Sequence, residues 1–524
     1  MNTQAKSQKR SFASVGTINA IAAIVGLLQA VIIGRTFGVS PLIETYFAAV
    51  VFYQSILKLL QTGQIIEIAT PIFHQLKANH GKGAADQFFS GLLNSMLLLA
   101  VAASVLLFFT SPLALSMLVP GFSAERRAIC LLMFRWIIPC LALQMVGSIL
   151  TNWLAVEKQF VLPAVLKVSI QIVNLLPIIA LSQQLDAWVL VLCLWILNGL
   201  TVLGLGILLL RSGCQYSLIL QDKNRHVIKV FKKIPDILFY VSTTQWFLLT
   251  LNAGMTILPQ GSLAIFTYAQ RISSKIDGLL LRPVSLVFFN HFSEARSNGS
   301  SEVRSLTQTA LGCSNFAAIS IVVIVLCAGF PGMCTLWLSN KYPEQAVFST
   351  YIITCLLATV PIASVAGLIY RKINMTHQKI RLQYFTLAII QVFSALYAIF
   401  IMPSLGFTGV AIALVANPIS IAIANGIILR VTFREYFQFF EFSKFLRYLI
   451  CGIAATLPVL VMQFFFYIPT IDSNPINFLV TISSGSFGIL IFIALSHWLK
   501  LEEAQQAVDF GFSRFSFQKE KASL

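Results

Sequence analysis

The chain contains 524 residues, of which 57% are hydrophobic and only 10% are charged. A soluble domain carries about 25% charged residues, so most of this chain must contact lipid or other helices rather than water. The composition excludes a soluble multidomain protein and predicts a membrane protein.

Apolar stretches of about 20 residues recur from end to end, and each is long enough to cross a hydrocarbon core of about 30 Å. We predict an all-α polytopic membrane protein with about fourteen transmembrane helices. The predicted helices begin near Ala13, Ile43, Asp86, Ala124, Phe160, Asp186, Pro235, Ser262, Glu302, Pro343, Gln378, Gly406, Lys444 and Pro475.

The net charge of +17 has a topological explanation. Most of the 36 lysines and arginines fall at the termini and in the loops that lead from even-numbered to odd-numbered helices. This asymmetry follows the positive-inside rule and predicts that both termini are cytoplasmic. It leaves no reason to expect nucleic acid as a partner. The nine cysteines lie mostly in apolar runs, so no disulfide framework is expected.

The predicted organisation begins with a cytoplasmic N-terminus, residues 1–12. The sequence then predicts two lobes and two further helices, joined by one long basic linker and followed by a cytoplasmic tail that starts as a short surface helix. These parts are an N-lobe at 13–211, the linker at 212–234, a C-lobe at 235–432, two helices within 433–500, and the tail at 501–524.

The end of the linker, HVIKVFKKIPDIL, is amphipathic enough to lie on the anionic inner leaflet. A solvated anchor that only fixes topology is the commoner explanation for such a loop.

The two lobes resemble each other in sequence. Tyr46 and Tyr268 are separated by the same number of residues as Pro139 and Pro361. Each lobe crosses the membrane six times, so both enter from the same side and the pseudo-repeat is parallel. Parallel halves with a site between them are a recurring transporter architecture.

Basic residues inside the predicted helices indicate the site, because each costs about 2.5–3.5 kcal/mol at a helix centre. Arg271, Lys275 and Arg282 in the eighth helix share one helical face. The second helix, which corresponds to it in the repeat, carries a matching polar stripe of Gln54, Lys58 and Gln61. We expect the two stripes to line a cationic cavity that suits an anion, above all a phosphate.

Other charged residues in the helices have alternative explanations. Arg282 could equally well extend its side chain to the cytoplasmic interface instead of lining the cavity. Arg135 is predicted to be interfacial, and Lys167 is predicted to snorkel inward. Glu44 opens the second helix, either as a helix N-terminal acid or as a gating partner of the cavity.

Enzymatic motifs are missing from the sequence. It contains no G-x-x-x-x-G-K-[ST], no H-E-x-x-H and no C-x-x-C, and the six histidines are scattered. The sequence therefore predicts a protein that is not an enzyme, with no metal and no cofactor.

Several segments resemble the MurJ (MviN) lipid II flippases of the multidrug/oligosaccharidyl-lipid/polysaccharide exporter superfamily. They are GRTFGVSPLIETYFAA, KLLQTGQIIEIATPIFHQL and GSLAIFTYAQRISSKIDGLLLRP. The resemblance implies an undecaprenyl-diphosphate sugar carried in a central cationic cavity of a bacterial inner-membrane protein. It implies rocking of two lobes coupled to membrane potential, Na⁺ or H⁺. The partners it implies are the lipid-linked oligosaccharide, membrane lipids and cell-envelope synthases.

The family's site residues are only partly present. Arg271 matches the eighth-helix arginine, Lys58 lies at the second-helix basic pair, and Glu44 stands where the family has an aspartate. The first-helix arginines are replaced by Ala23 and Gln29, and the eighth-helix acid is replaced by Ser274. These departures affect the expected substrate more than the fold, so an exopolysaccharide or glycolipid precursor stands beside lipid II.

Two other functions fit the sequence. One is a drug or solute antiporter of the same fold, which would need buried carboxylates for ion coupling. The other is a scaffold of an envelope complex that transports nothing, since a fold does not fix a function.

Overall fold

The structure is a computed structural model of the chain. It describes residues 3–60, 62–157, 159–220, 226–232, 235–275, 300–376, 380–432, 434, 441–467, 469 and 474–505.

The predicted all-α fold is confirmed, because the described residues form helices joined by short connections and contain no strand. The helices are α1 (Thr3–Phe37), α2 (Pro41–Leu59), α3 (Thr62–Leu118), α4 (Ala124–Ile137), α5 (Cys140–Val156), α6 (Val161–Val173), α7 (Leu175–Leu185), α8 (Trp188–Arg211), α9 (His226–Phe231), α10 (Pro235–Ile257), α11 (262–275), α12 (Ser300–Trp337), α13 (Glu344–Thr376), α14 (Ile380–Phe400), α15 (Met402–Leu405), α16 (Phe407–Thr432), α17 (Phe442–Phe466) and α18 (Asn474–Trp498).

Each predicted transmembrane segment begins in or next to one of these helices, and the eighth continues beyond the described residues. Among the described residues, 10 segments are long and apolar enough to cross a membrane, and two shorter apolar helices, Ile21–Phe37 and Tyr384–Phe400, accompany them. The chain is therefore a multi-pass membrane protein.

Two helix breaks follow directly from single residues. Pro139 separates α4 from α5, because proline has no N–H to donate and its ring clashes with the preceding turn. Gly81 divides α3 into two helical stretches, with φ 80° and ψ 176°. A residue with a Cβ rarely adopts that backbone conformation, so the break requires glycine.

Unit 1 comprises Met1–Ala264 and Gln391–Ser404. Its large buried cluster is built mainly from α3, α5 and α8. Phe89 and Trp153 lie at its centre with their rings 5.4 Å apart. Aromatic pairs of this kind contribute about 0.5–1.5 kcal/mol beyond the area that they bury.

The first half of the predicted linker is seated on α3, within unit 1. Asp86 and Ser90, one helical turn apart, accept hydrogen bonds from the backbone N–H groups of Gln215 (3.0 Å) and Ser217 (3.1 Å). Both α3 side chains are buried. Side chains spaced by four residues share a helix face, so a polar edge of α3 receives the linker backbone.

Asn94 extends this polar edge by another turn. Its amide donates to the Ile219 carbonyl (2.7 Å), and its oxygen accepts from the Tyr216 hydroxyl (2.6 Å). Farther along the linker, Val227 and Val230 of α9 are buried in the unit 1 core. From the sequence, this amphipathic segment is expected to lie on the inner leaflet or in solvent. In the structure, its apolar face packs on the protein instead.

Unit 2 comprises Ile265–Ile390 and Leu405–Leu524. Helices α12, α17 and α18 enclose a core in which the rings of Phe316 and Phe492 stack at 5.6 Å. The lobes that the sequence predicts at 13–211 and 235–432 stay a prediction.

The residues that follow α18 pack against unit 2. Leu501 and Ala504 are buried, which differs from the surface helix expected at the start of the tail. The buried Glu503 carboxylate binds the Lys444 ammonium at 2.7 Å and accepts a hydrogen bond from the Tyr448 hydroxyl. Burial raises the pKa of Glu503, but these hydrogen bonds outweigh it and the pKa is lowered overall.

Candidate functional site

Helix α2 carries site candidates at both of its ends. It begins after Ser40, whose Oγ accepts a hydrogen bond from the Ile43 N–H at 3.5 Å, and Pro41 occupies its first position. Serine as cap and proline at the first helical position are both favoured at helix starts. The helix therefore starts at a defined residue and places Glu44 in its first turn.

The buried Glu44 carboxylate joins α2, α4 and the first residues of α11, all within unit 1. One oxygen accepts hydrogen bonds from the N–H groups of Leu263 (3.0 Å) and Ala264 (3.4 Å), and the other lies 2.9 Å from Nη2 of Arg126. The first N–H groups of a helix have no partner within it and carry partial positive charge. Glu44 of α2 therefore caps the start of α11 and also pairs with α4.

Arg126 is a residue that the sequence did not assign to the site. Its guanidinium stacks on the Phe122 ring at 4.1 Å and also binds Glu44. Nothing in the local sequence distinguishes it from its neighbour Arg127, since its acidic partner lies 82 residues earlier.

At the other end of α2, Gln54 and Lys58 lie on one exposed face. Lys58 occupies the last turn, where a positive charge is favourable. On the buried side, the Tyr53 hydroxyl donates to Oε1 of Gln144 at 2.5 Å and helps to fix the helix rotation. Gln61 lies outside the described residues.

Helix α11 changes from buried to exposed along its length. Residues 262–269 are buried, with Tyr268 packed against Trp337 at 5.5 Å between ring centroids. Arg271 is half-buried, and Ser274 and Lys275 are exposed.

The exposed end of α11 carries the second basic stripe. The Ser274 hydroxyl donates to the Arg271 carbonyl at 2.8 Å. Arg271 and Lys275 are four residues apart and share a face. Arg282, the third member of the predicted stripe, lies outside the described residues.

The predicted cationic cavity draws on residues of both units. Lys58, Gln54, Glu44 and the half-buried Gln29 belong to unit 1, whereas the α11 stripe belongs to unit 2. In the part of the chain that the structure describes, neither Lys58 nor Lys275 forms an ion pair. The meeting of the two stripes in one cavity stays a prediction.

The remaining basic residues of the spans lie elsewhere. Arg135 is half-buried in α4 and stacks over the Phe108 ring at 4.7 Å. Lys167 is half-buried in α6. The interfacial position predicted for Arg135 and the snorkelling predicted for Lys167 stay predictions.

One group of possible metal ligands occurs among the described residues, formed by Asp86, Glu157 and Cys214. Lys77 already binds both oxygens of Glu157, at 2.8 and 2.7 Å, and Asp86 accepts from Trp153 and from the linker backbone. Burial and then the Asp86 charge raise the pKa of Cys214 to about 11, so its thiol stays protonated at neutral pH. Because both carboxylates already have partners and Asp86 accepts from the linker backbone, we assign this group to holding the linker.

The fold is shared with solved membrane transporters. The structure described as "Lipid II flippase MurJ, inward closed conformation" matches with a TM-score of 0.72 and 18% identity, covering 93% of this chain and 98% of that one. An inward-facing multidrug resistance MATE family transporter of the MOP superfamily matches with a TM-score of 0.62 and 15% identity, covering 78% and 94%. The chain therefore has the fold that these solved membrane transporters share.

Sequence comparison identifies the family to which the chain belongs. The family described as "Lipid II flippase MurJ" matches residues 33–472, and the chain belongs to it. A curated relative from Buchnera aphidicola subsp. Acyrthosiphon pisum (strain APS), described as a probable lipid II flippase MurJ, is 22% identical over 350 residues. That alignment covers 64% of this chain and 67% of the relative. Membership confirms the predicted family and places the chain among transporters rather than enzymes.

Proposed function

We propose that this protein flips a polyprenyl-diphosphate-linked saccharide, lipid II or a related cell-envelope precursor, from the inner to the outer leaflet by alternating access. We place it in the bacterial inner membrane with both termini cytoplasmic, as the distribution of basic residues predicts. The single observation that carries the proposal is the family match over residues 33–472, which includes both basic stripes.

The chemistry of the stripes supports an anionic cargo. Lys58 and Lys275 are exposed within a chain that has only 19 acidic residues, and the half-buried Arg271 precedes Lys275 by one helical turn. Guanidinium and ammonium groups bind phosphate oxygens through charge-assisted hydrogen bonds, which are stronger than neutral ones. We propose that Lys58, Arg271, Lys275 and Arg282 bind the diphosphate, with Gln29, Gln54, Gln61 and Ser274 as polar lining.

Glu44 is proposed as the gate. By the predicted topology, the start of α2 and the start of α11 lie on the outer side of the membrane. The Glu44 carboxylate holds these two helix ends together through the Leu263 and Ala264 N–H groups. Release of the cargo outward would require these hydrogen bonds and the Arg126 pair to break or rearrange.

Energy for the cycle is proposed to come from membrane potential or from Na⁺ or H⁺. The cargo carries negative charge, and one elementary charge moved across 100 mV changes in free energy by about 2.3 kcal/mol. No resident cofactor is proposed. Envelope synthases that make or use the precursor are the proposed protein partners.

The test is complementation of a bacterium depleted of its lipid II flippase, combined with flipping of fluorescent lipid II in vesicles. Wild type should restore growth, and Arg271→Glu should abolish both growth and flipping while the protein still reaches the membrane. Lys229→Glu is the matched control, because Lys229 is exposed on α9 and belongs to neither stripe.

The outcomes separate the parts of the proposal. Normal flipping by Arg271→Glu would overturn the assignment of the cationic site. Failure of wild type with lipid II, together with transport of another polyprenyl-diphosphate glycan, would restrict the cargo to that glycan. Failure with every such lipid, with stable copurification of synthases, would favour a scaffold.

A further inference from the structure

An apolar groove runs along one side of unit 2, between α13, α16 and the start of α17. Its volume is about 710 Å³, and it is lined almost entirely by apolar side chains. Ligand pockets in proteins measure about 300–1,000 Å³, so the groove is large enough for a substantial ligand.

The groove results from small residues beside a tight helix contact. A Cβ added to Gly367 of α13 would lie 3.3 Å from the Cα of Ala422 in α16, so the two helices touch closely there. Next to that contact, Ala363 and Ala366 of α13 and Gly426 of α16 line the groove and leave it open. The groove is therefore a depression that small side chains leave beside two well-packed helices.

One end of the groove carries a positive charge. Arg430 lies in the last turn of α16, is exposed, and lines the groove together with Ile423 and Ile427 of the same helix. The aromatic ring of Phe442, at the start of α17, forms a wall near this end. By the positive-inside rule, this end faces the cytoplasm.

These features restrict the occupant. An extended peptide in an apolar groove within the bilayer would leave its backbone N–H and C=O groups without partners, at several kcal/mol for each group. A hydrocarbon chain has no such groups. The guanidinium at the predicted cytoplasmic end matches a phosphate, and basic pockets between transmembrane helices on that side bind anionic lipid head groups.

We propose that this groove is a binding site for an anionic phospholipid, which places one acyl chain between α13 and α16 and its phosphate at Arg430. The proposal does not depend on the cargo proposed above, because it rests only on residues of unit 2. It assigns Arg430 to lipid recognition and the apolar lining to chain binding.

The experiment measures lipid binding to the purified full-length protein by native mass spectrometry, with phosphatidylglycerol and phosphatidylethanolamine as probes. Wild type should prefer phosphatidylglycerol. Arg430→Gln should weaken phosphatidylglycerol binding about fivefold and leave phosphatidylethanolamine unchanged, as expected for the loss of one basic residue near an anionic head group. Arg434→Gln is the matched control, since Arg434 is exposed and does not line the groove.

A second pair of variants tests the apolar part. Ile423→Trp should fill the groove and weaken binding of both lipids, whereas Leu457→Trp, on the exposed surface of α17, should not. If Ile423→Trp fails to fold, Ile427→Trp, also exposed in the groove, replaces it.

Three results would overturn the proposal. The first is equal phosphatidylglycerol binding by wild type and Arg430→Gln. The second is undiminished binding by the tryptophan variant that folds. The third is displacement of phosphatidylglycerol by undecaprenyl diphosphate at one-to-one stoichiometry, which would assign the groove to the cargo. Loss of flipping in the Arg271→Glu variant would leave this result unaffected, so the two proposals fail separately.

Discussion

Replacing Glu44 tests the buried polar contacts that link α2 to α4 and to the start of α11. Glu44→Ala removes the acceptor of the Leu263 and Ala264 N–H groups and leaves Arg126 without its carboxylate. Glu44→Gln keeps an acceptor for the N–H groups but removes the charge. The two substitutions therefore separate capping of α11 from ion pairing with α4.

The structure sets the size of each effect. Breaking a buried ion pair by removing one partner costs about 3–5 kcal/mol. The Arg126 side chain keeps 23% exposure, so water partly compensates its lost partner and Glu44→Ala should fall at the lower end, about 3 kcal/mol. Glu44→Gln loses mainly the charge assistance of its hydrogen bonds, and about 1.5 kcal/mol is expected.

The assay is thermal unfolding of the purified protein in detergent. The melting temperature should fall most for Glu44→Ala and less for Glu44→Gln. Glu125→Ala, which removes an exposed acid from the first turn of α4, should change it least. A double-mutant cycle with Arg126→Ala should be strongly non-additive, because both single substitutions break one pair. Equal melting temperatures for Glu44→Ala and Glu125→Ala, or additive effects in the cycle, would refute the reasoning.

Three further predictions concern the remaining polar contacts. Gly312→Ala should destabilise unit 2 by about 1–3 kcal/mol through overpacking, because the added Cβ would meet a Glu503 oxygen. Gly206→Ala, which has open space around it, should be neutral or stabilising in the same melting assay. Because the folded pKa of Glu503 is lowered, its contribution to stability should be present above its unfolded pKa of about 4.3 and be lost as pH falls through the folded pKa. Glu503→Gln should remove this pH dependence from melting curves recorded across that range. Asn94→Ala should release the linker from α3 and speed limited proteolysis within 212–220.

Each of these has an opposing result. Equal melting temperatures for the two glycine variants would show that Glu503 moves aside without cost. If the melting temperature of Glu503→Gln falls at low pH as much as that of wild type, the pH dependence belongs to other carboxylates. For the linker, Ser116→Ala on the outer part of α3 is the control, and equal cleavage rates in both variants would show that Asn94 does not hold it.

The sequence alone determined the class of protein and the approximate positions of its apolar spans. Hydrocarbon thickness sets a length of about 20 apolar residues for each span, and this can be counted locally along the chain. The same local periodicity placed Gln54 with Lys58, and Arg271 with Lys275, on single faces, because residues four apart share one side of any helix.

Only the tertiary structure decided which polar groups meet. Glu44 accepts a hydrogen bond from Leu263, 219 residues later, and Asn94 binds a linker more than 120 residues away. Glu503 is buried against Lys444, although the tail that contains it is polar in sequence. Periodicity reports the face on which a residue lies but not the element that packs against that face. Contacts distant in sequence, the burial of α9 on protein and the groove beside Arg430 therefore follow from helix packing alone.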